Sequence, residues 1–403
     1  MKKLKFYVFT GIIAFIWACQ SDMPEPLKED GLGWQLSYEE EALLNSSNEM
    51  SFNLLHYLNQ KNEDENLFFS PIGIGNGIGI ALNVINDDSN IALKKFLEIE
   101  EVSDVEVNKA YSQLSELFGK DKTNNHFSNA NSLWLNYDYT LNKGISNQLM
   151  AYYSADVEYL DFDKSKHIKA INNWASRRTD GDIRTIVKNL DSENESYLIN
   201  LMKLSPEWTF VADSERTDPF FFTNSNGVEK SVSAHKLEAG QYKIYEDESI
   251  RLIDIPYGDY KFKFTIVQSL GGIPAKNFSE LSLDQLTSYL TDAKHTLAEI
   301  ILPQFRIENE LKLKEVFPDL VLDQNKNNGQ EDDINSISEF IHKTTIQIRG
   351  SGSLNPDQSN DETALSTNYN NPVYVDRPFI FFIREKLTGA IVFVGKVNDP
   401  SLQ

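Results

Sequence analysis

Three observations on the sequence predict an α+β fold. The 403-residue chain is 40% hydrophobic and 11% aromatic, which is the composition of a folded protein rather than of a disordered one. Helical spacing of apolar residues dominates the first half, and short apolar runs typical of strands dominate the second. Because the helices precede the strands instead of alternating with them, α+β architecture is favoured over βαβ units.

The N-terminus resembles a bacterial lipoprotein signal. A lysine-rich start precedes a 13-residue apolar run, which is shorter than the about 20 residues that a membrane-spanning helix needs. The run ends in Ala18-Cys19, similar to a lipobox, so we expect residues 1–18 to be cleaved and Cys19 to be lipidated. An ordinary secretory signal and an uncleaved anchor are the alternatives.

Residues 19–33 are predicted to tether a folded domain over residues 34–403. After Cys19 the segment holds two prolines, two glycines and four acidic residues, as in a flexible linker. We therefore expect a protein that is lipid-anchored to the cell envelope, either periplasmic or on the cell surface. Cys19 is the only cysteine, so no intramolecular disulfide can form.

The helices are predicted from capping residues and apolar spacing. They are one that opens at the capping box Ser37-Tyr38-Glu39-Glu40, then Ile72–Val84, Lys143–Tyr153 and His167–Thr179, the last ended by Asp180-Gly181. The glycines that recur at every second position of Ile72–Val84 do not fit a nucleotide-binding loop, and we interpret them as allowing close packing.

The strands are predicted from short apolar runs between polar turns. They are Asn129–Asn136, Ala155–Phe162, Tyr197–Leu204, Ile250–Tyr257, Tyr260–Ser269, Leu297–Phe305, Ser338–Arg349, Pro372–Val375, Phe379–Arg384 and Ala390–Val394. Lys386–Gly389 supplies the turn of the last hairpin.

The chemistry of common enzymes has no counterpart in this sequence. No two of the six histidines are three or four residues apart, and no G-x-S-x-G nucleophile motif occurs. We therefore predict no catalytic residues, no metal and no cofactor. The formal net charge of −22 disfavours nucleic acid and heparin-like polyanions as partners.

Residues 350–371 form a polar stretch of 22 residues between two predicted strands. Connections of this length inside a compact domain are uncommon, and they are usually functional or disordered. The stretch is thus either a disordered insertion or a bait loop that is offered to a protease.

Over roughly residues 40–400 the sequence resembles the serpin family. The motifs that carry the resemblance are Asn66–Pro71, Asn131–Leu135, Ile171–Trp174 with Thr179–Gly181, Asn200 with Trp208, Ser338–Lys343, Arg377–Arg384, Thr388-Gly389 and Gly395–Pro400. They follow the order and spacing of the family, although Leu204–Glu207 departs from its motif.

The resemblance implies three β-sheets, about eight or nine helices and a reactive-centre loop at residues 350–371. An inhibitory serpin is a single-use trap and not an enzyme. A protease cleaves the loop, forms an ester with it, and is carried across the molecule as the loop inserts into a sheet. The implied partners are serine proteases, with cysteine proteases left open, and the implied state is a monomer.

The resemblance also assigns polar residues beneath the sheet that opens. Ser70, Asn200 and His342 correspond to the family's shutter cluster, and Trp208 corresponds to the place where the loop first enters. Gly73 stands where the family has a second serine, so we expect the hydrogen-bond network to lack the hydroxyl group of that serine. The same residues are also expected to be hydrogen-bonded polar groups of the core, a role that is compatible with the first.

The reactive bond is expected within Leu365-Ser366-Thr367. Counting forward from the hinge glycine Gly352 gives Ser366, and counting back from Pro378 gives Thr367. Leu365 is the side chain best suited to a protease pocket, so we expect a chymotrypsin-like or elastase-like target.

The hinge of the loop departs from the small residues of inhibitory serpins. Its residues are Gly350, Gly352, Ser353, Leu354, Asn355, Pro356 and Asp357. Burying Asn355 or Asp357 without partners is costly, and Pro356 cannot donate to a central ladder. The alternative to an inhibitor is therefore a non-inhibitory serpin that acts as a surface binding or scaffold protein.

Overall fold

The structure is a computed structural model that describes residues 36–85, 88–119, 127–204, 208, 212–213, 220–257, 260–270, 278, 281–317, 334, 336–348 and 372–402. Within these ranges the chain has eight α-helices and three β-sheets, as predicted. The helices are α1 (Tyr38–Lys61), α2 (Pro71–Val84), α3 (Asp88–Phe96), α4 (Asp104–Gly119), α5 (Lys143–Tyr153), α6 (Ile168–Arg178), α7 (Leu283–Asp292) and α8 (Leu313–Val316). None of these helices is long and apolar enough to span a membrane.

Sixteen strands are formed by the described residues. They are β1 (Leu67–Phe69), β2 (Phe127–Asn136), β3 (Asp156–Leu160), β4 (Ser196–Leu204), β5 (Ala212–Asp213), β6 (Phe220–Thr223), β7 (Glu229–Val232), β8 (Ala234–Glu246), β9 (Ile250–Tyr257), β10 (Phe262–Ser269), β11 (Lys294–Pro303), β12 (Phe305–Lys312), β13 (Glu339–Ile348), β14 (Val373–Tyr374), β15 (Phe379–Glu385) and β16 (Ile391–Val397).

Local signals in the sequence account for several helix boundaries. At the start of α1, the Ser37 hydroxyl accepts from the Glu40 amide and the Glu40 carboxylate accepts from the Ser37 amide, which confirms the capping box. The chain beyond α6 turns through Asp180 and Gly181, whose φ angles of 52° and 83° cannot continue a helix.

A five-stranded sheet, which we call the central sheet, has the strand order β12-β13-β4-β2-β3. Its two middle strands, β13 and β4, pair in parallel from Glu339↔Tyr197 to Ile346↔Leu204. Helix α2 packs on one face of this sheet and α6 packs on the other. We refer to the β4–β13 pairing line as the seam.

The larger sheet has nine strands, with β5 beside β8 and the others in the order β1-β16-β15-β10-β9-β8-β11-β14. Its last hairpin, β15–β16, is closed by the predicted turn, in which Gly389 has φ 72°. The third sheet is the hairpin β6–β7.

Helix α2 lies in the core, and every one of its residues except Asn83 is buried. Large aromatic rings occupy the space beside its glycines: a Cβ on Gly75, Gly77 or Gly79 would come within 2.5 Å of Tyr111, Phe340 or Tyr153, respectively. The predicted packing role of these glycines is therefore the one that the structure shows.

The predicted elements are present, with corrections at their ends. The expected strand Leu297–Phe305 is wrong at its C-terminal end: β11 stops at Pro303, and Gln304, whose amide donates to Ser233, separates it from β12. Pro372–Val375 shortens to the two residues of β14. Elements that the sequence patterns did not predict include α4, α7, the hairpin β6–β7 and β8.

Candidate functional site

The seam is the part of the central sheet from which the long polar stretch departs. β13 ends at Ile348, and the chain returns as β14 at Val373, parallel to β11 in the larger sheet. The predicted loop, residues 350–371, joins these two ends. Its hinge and its predicted reactive bond lie outside the described residues, as does Cys19.

Three polar residues beneath the seam form one hydrogen-bonded chain. The Ser70 amide donates to His342 Nε2 at 3.0 Å, so Nδ1 must carry the proton, which it donates to Asn200 Oδ1 at 2.7 Å. All three residues are fully buried. Burial without a counter-charge lowers the pKa of His342 to about 3, so the imidazole is neutral.

The chain of hydrogen bonds extends into three other elements. Asn200 Nδ2 donates to Asn129 and Asn131 of β2 at 3.0 and 2.7 Å, and Asn131 donates onward to the Tyr153 carbonyl at the end of α5. The Ser70 hydroxyl donates to the carbonyl of Val392 in β16 at 2.6 Å. The network therefore fixes β4 and β13 against α2, β2, α5 and β16.

These side chains meet because of where each strand places them. His342 and Asn200 are register partners across the seam, and alternation turns both toward α2. Ser70 caps α2, where its hydroxyl accepts from the Gly73 amide at 3.1 Å. Asn129 lies outside the family motifs, although its spacing of two residues from Asn131 places both side chains on one face of β2.

A family model described as Serpin (serine protease inhibitor) matches residues 45–400. The chain belongs to the serpin family. Iripin-2 of Ixodes ricinus is 25% identical over 375 residues, which cover 89% of this chain and 94% of the relative. Neuroserpin of Homo sapiens is 24% identical over 382 residues, which cover 90% and 92%.

A solved structure, "Crystal structure of native protease nexin-1 with heparin", matches the fold of this serpin with a TM-score of 0.77 at 18% identity. The match covers 90% of this chain and 100% of the other. The two proteins therefore share a fold over essentially the whole serpin domain.

Gly73 shows how this serpin accommodates its polar network without a second serine. A Cβ at this position would lie 2.5 Å from Asn200 Oδ1, 2.8 Å from Met202 Cγ and 2.9 Å from His342 Cε1. The space that a serine would need is thus filled by the side chains of the network itself. The network loses one hydroxyl but gains close contact between α2 and the seam.

Trp208, four residues beyond β4, is buried against two strands of the larger sheet. Its ring lies 4.7 Å from that of Tyr257 and 5.4 Å from that of Phe264, and its backbone forms a bridge with Tyr257. It therefore connects the end of β4 to β9 and β10, and it does not join the network of Ser70, Asn200 and His342.

No group of three or more His, Cys, Asp or Glu side chains among the described residues is arranged to hold a metal ion. What the described site offers is a strand seam above a neutral, fully hydrogen-bonded polar network.

Proposed function

We propose that this serpin inhibits serine endopeptidases by inserting its cleaved loop, residues 350–371, between β4 and β13; cysteine endopeptidases are a second target class. The observation that carries the proposal is the parallel pairing of these two strands. The strand that feeds the loop, β13, forms one side of the gap that the loop would fill.

The direction of the strands makes insertion favourable. A segment that turns back from the end of β13 runs antiparallel to β13, and because β4 is parallel to β13 it is antiparallel to β4 as well. One parallel ladder of eight residue pairs would be replaced by two antiparallel ladders. Antiparallel pairing is slightly the more stable per residue, and the inserted backbone gains ladder hydrogen bonds on both sides.

We propose a chymotrypsin-like or elastase-like target that cuts within Leu365-Ser366-Thr367. The support is the sequence: Leu365 suits an apolar specificity pocket, and no lysine or arginine follows Arg349 in the loop. A trypsin-like protease is therefore not expected to be trapped.

We propose further that the protein acts as a monomer outside the cytoplasm, attached to an envelope membrane through a lipid on Cys19. The apolar leader that ends at this sole cysteine supports the attachment. Although the solved structure of protease nexin-1 contains heparin, the formal net charge of −22 argues against a polyanion as a partner of this chain.

The hinge supports a second candidate, a non-inhibitory serpin that binds partners at the surface. Asn355, Pro356 and Asp357 would occupy the middle of the inserted strand, where Pro356 removes a ladder donor and unpaired polar groups cost about 1–3 kcal/mol each. Slow insertion would allow water to hydrolyse the ester first.

Incubation with proteases separates the two candidates. The full chain, kept in mild detergent, is mixed with chymotrypsin, elastase, subtilisin, papain and trypsin, and the products are run on a denaturing gel. A band at the summed mass that survives boiling supports the inhibitor. Cleavage near Leu365–Thr367 that leaves the protease active supports the binding protein, and changing residues 355–357 to alanine should then restore trapping.

A further inference from the structure

Four cationic side chains gather on the larger sheet, although the chain as a whole is strongly acidic, with 60 Asp and Glu against 38 Lys and Arg. They are Lys243 of β8, Lys263 of β10, Arg384 of β15 and Lys386 in the turn that follows β15. The last two and Lys243 lie close enough to Lys263 to lower its pKa, and the carboxylate that opposes them is Asp254 of β9. We call these five residues the cationic cluster.

The strand register brings the cluster together. Lys263 and Arg384 stand directly opposite each other on β10 and β15. Lys243 and Asp254 stand opposite each other on β8 and β9, and Asp254 is also opposite Thr265, two residues from Lys263. Because every second residue of a strand faces the same way, these side chains project from one face of the sheet.

The carboxylate of the cluster is already engaged. Asp254 Oδ1 accepts from Arg384 Nη2 at 2.8 Å and from the Thr265 hydroxyl at 2.6 Å, and Arg384 Nε donates to the same hydroxyl at 3.0 Å. The Asp254 side chain is only 4% exposed. Its charge therefore serves mainly to neutralise the arginine.

Lys263 has no comparable partner. Its ammonium group lies 4.0 Å from Asp254 Oδ2, and within the described part of the chain it donates no hydrogen bond. Its side chain is 23% exposed, so water solvates the ammonium group only in part. Burial lowers the pKa of Lys263, and the three neighbouring cations lower it further against the opposing effect of Asp254. The folded protein thus holds this charge at a cost.

The arrangement provides hydrogen-bond donors and excess charge at one place. Four cations and one carboxylate leave a formal charge of +3, and like charges directly opposite each other, as Lys263 and Arg384 are, destabilise a sheet. Of the five N–H groups of Arg384, contacts within the described residues use two. An arginine fork beside a lysine ammonium group suits the oxygens of phosphate or sulfate.

We propose that the cationic cluster is a binding site for a tetrahedral oxyanion, either an inorganic ion or a phosphate ester, held between Lys263 and Arg384 with Lys243 and Lys386 beside them. The net charge of −22 does not oppose such a small ligand, because charges more than about 8 Å away are screened at physiological ionic strength. A long polyanion differs, since it would extend from the cluster over acidic surface.

The effect of phosphate on stability tests the site. The full chain, kept in mild detergent, is unfolded with urea, with and without 20 mM sodium phosphate, and sodium chloride keeps the ionic strength constant. A ligand that binds the native state raises the midpoint of the first unfolding transition. A dissociation constant of about 1 mM would raise it by about 1 M urea.

Lys263→Met is the decisive variant, because methionine keeps the length of the apolar stem and removes the charge. In chloride its midpoint should equal or exceed that of the parent, since the opposed like charges are gone. In phosphate its midpoint should rise by less than about 0.2 M urea. Lys243→Met and Lys386→Met should each show an intermediate response.

A matched control separates binding from the general effect of the salt. Phosphate and sulfate stabilise many proteins because they are excluded from protein surfaces. Lys236→Met removes another lysine of β8, which pairs with Glu299 at 2.9 Å, and should keep the full response to phosphate. An equal response in the parent and in Lys263→Met would overturn the site, as would no response in either.

Two further ligands identify the source of the oxyanion. Glycerol 3-phosphate, which copies the phosphate ester of a lipid headgroup, is compared with inorganic phosphate and sulfate at the same ionic strength. A response to all three supports an open site that accepts esters, and a response to the inorganic ions alone supports a closed site for the free ion. The loop at residues 350–371 takes no part in this test, so its outcome is independent of the proposed inhibition.

Discussion

Gly77 lies in the middle of α2, directly over the aromatic ring of Phe340 in β13. A Cβ at this position would lie 2.0, 2.6 and 2.9 Å from three atoms of that ring. Phe340 is fully buried and belongs to the strand that forms one side of the seam. Gly77→Ala therefore tests whether α2 and the seam are packed as tightly as the structure shows.

Two effects of opposite sign determine how Gly77→Ala changes the free energy of unfolding. Alanine favours a helix over glycine by about 1 kcal/mol. Relieving the clash requires the ring to move by roughly 1.4 Å, from 2.0 Å to an ordinary contact of 3.4 Å, and overpacking a core costs about 1–3 kcal/mol. Because the displacement is large and Phe340 is fully buried, we expect an overpacking cost of about 3 kcal/mol and a net loss of about 2 kcal/mol in the free energy of unfolding.

The assay is the first urea-induced unfolding transition, followed by circular dichroism. On the proposed mechanism the chain has an inserted form that is more stable than its native state. The stabilities of the native states of the variants are therefore best compared through this first transition. A slope of about 2 kcal/mol/M places the midpoint of Gly77→Ala about 1 M below that of the parent.

Replacing the Phe340 ring by a smaller side chain supplies the control. Phe340→Leu should destabilise on its own by leaving a cavity, whereas Gly77→Ala with Phe340→Leu should lose less than the sum of the two single variants by at least about 1 kcal/mol. A Gly77→Ala protein as stable as the parent, or more so, would refute the reasoning, because helix propensity would then outweigh the contact.

Two further predictions concern the network beneath the seam. Gly73→Ser introduces the residue that the family has at this position, yet it should lower the same urea midpoint because the new Cβ would lie 2.5 Å from Asn200 Oδ1; a higher midpoint would contradict the geometry. Lowering the pH from 7 to 5 should destabilise the native state by about 2 kcal/mol through His342, because its folded pKa of about 3 lies below the unfolded value of 6.5, so the unfolded chain takes up more protons throughout this range. The pKa of buried His235 is lowered as well, so His342→Gln should flatten the pH dependence of the midpoint in part, and an unchanged slope would argue against the neutral imidazole.

Elements with local signals at both ends could be predicted closely from the sequence. Helix α5 spans Lys143–Tyr153 and β9 spans Ile250–Tyr257, as expected, because a cap or a turn bounds each. Helix α7 begins at a capping box of Ser282 and Gln285, a local signal of the same kind, although α7 was not among the predicted helices. Strand β8 has exposed and buried residues in irregular order, and its pairing with β11 contains a bulge, so no period of two marks it.

Residues of the candidate site could be predicted from the sequence only where they belong to the family motifs. The motifs led to Ser70, Asn200 and His342, which the fold brings into one network although up to 272 residues separate them. Lys203 and Asp182, which form an ion pair at 2.7 Å, are not indicated as partners by those motifs. Their contact depends on how α6 returns over the sheet, and a lysine within an apolar strand does not by itself indicate its partner.

The two faces of the seam are held by neighbouring residues of the same strands. His342 and Asn200 face α2, whereas Lys343 and Lys203, one and three residues further along, face the other side of the sheet. There they donate to the carbonyl oxygens of Thr185 and Thr179, in the segment that follows α6. On the proposed insertion the loop enters from Ile348, so it reaches the level of Lys203 before that of His342. On this proposal the contact of Lys203 with the Thr179 carbonyl resists the early steps, in which ester hydrolysis still competes, and the buried network resists the later ones. Lys203→Met should lower the number of inhibitor molecules consumed per protease inactivated, whereas His342→Gln should alter native stability with a smaller effect on that ratio.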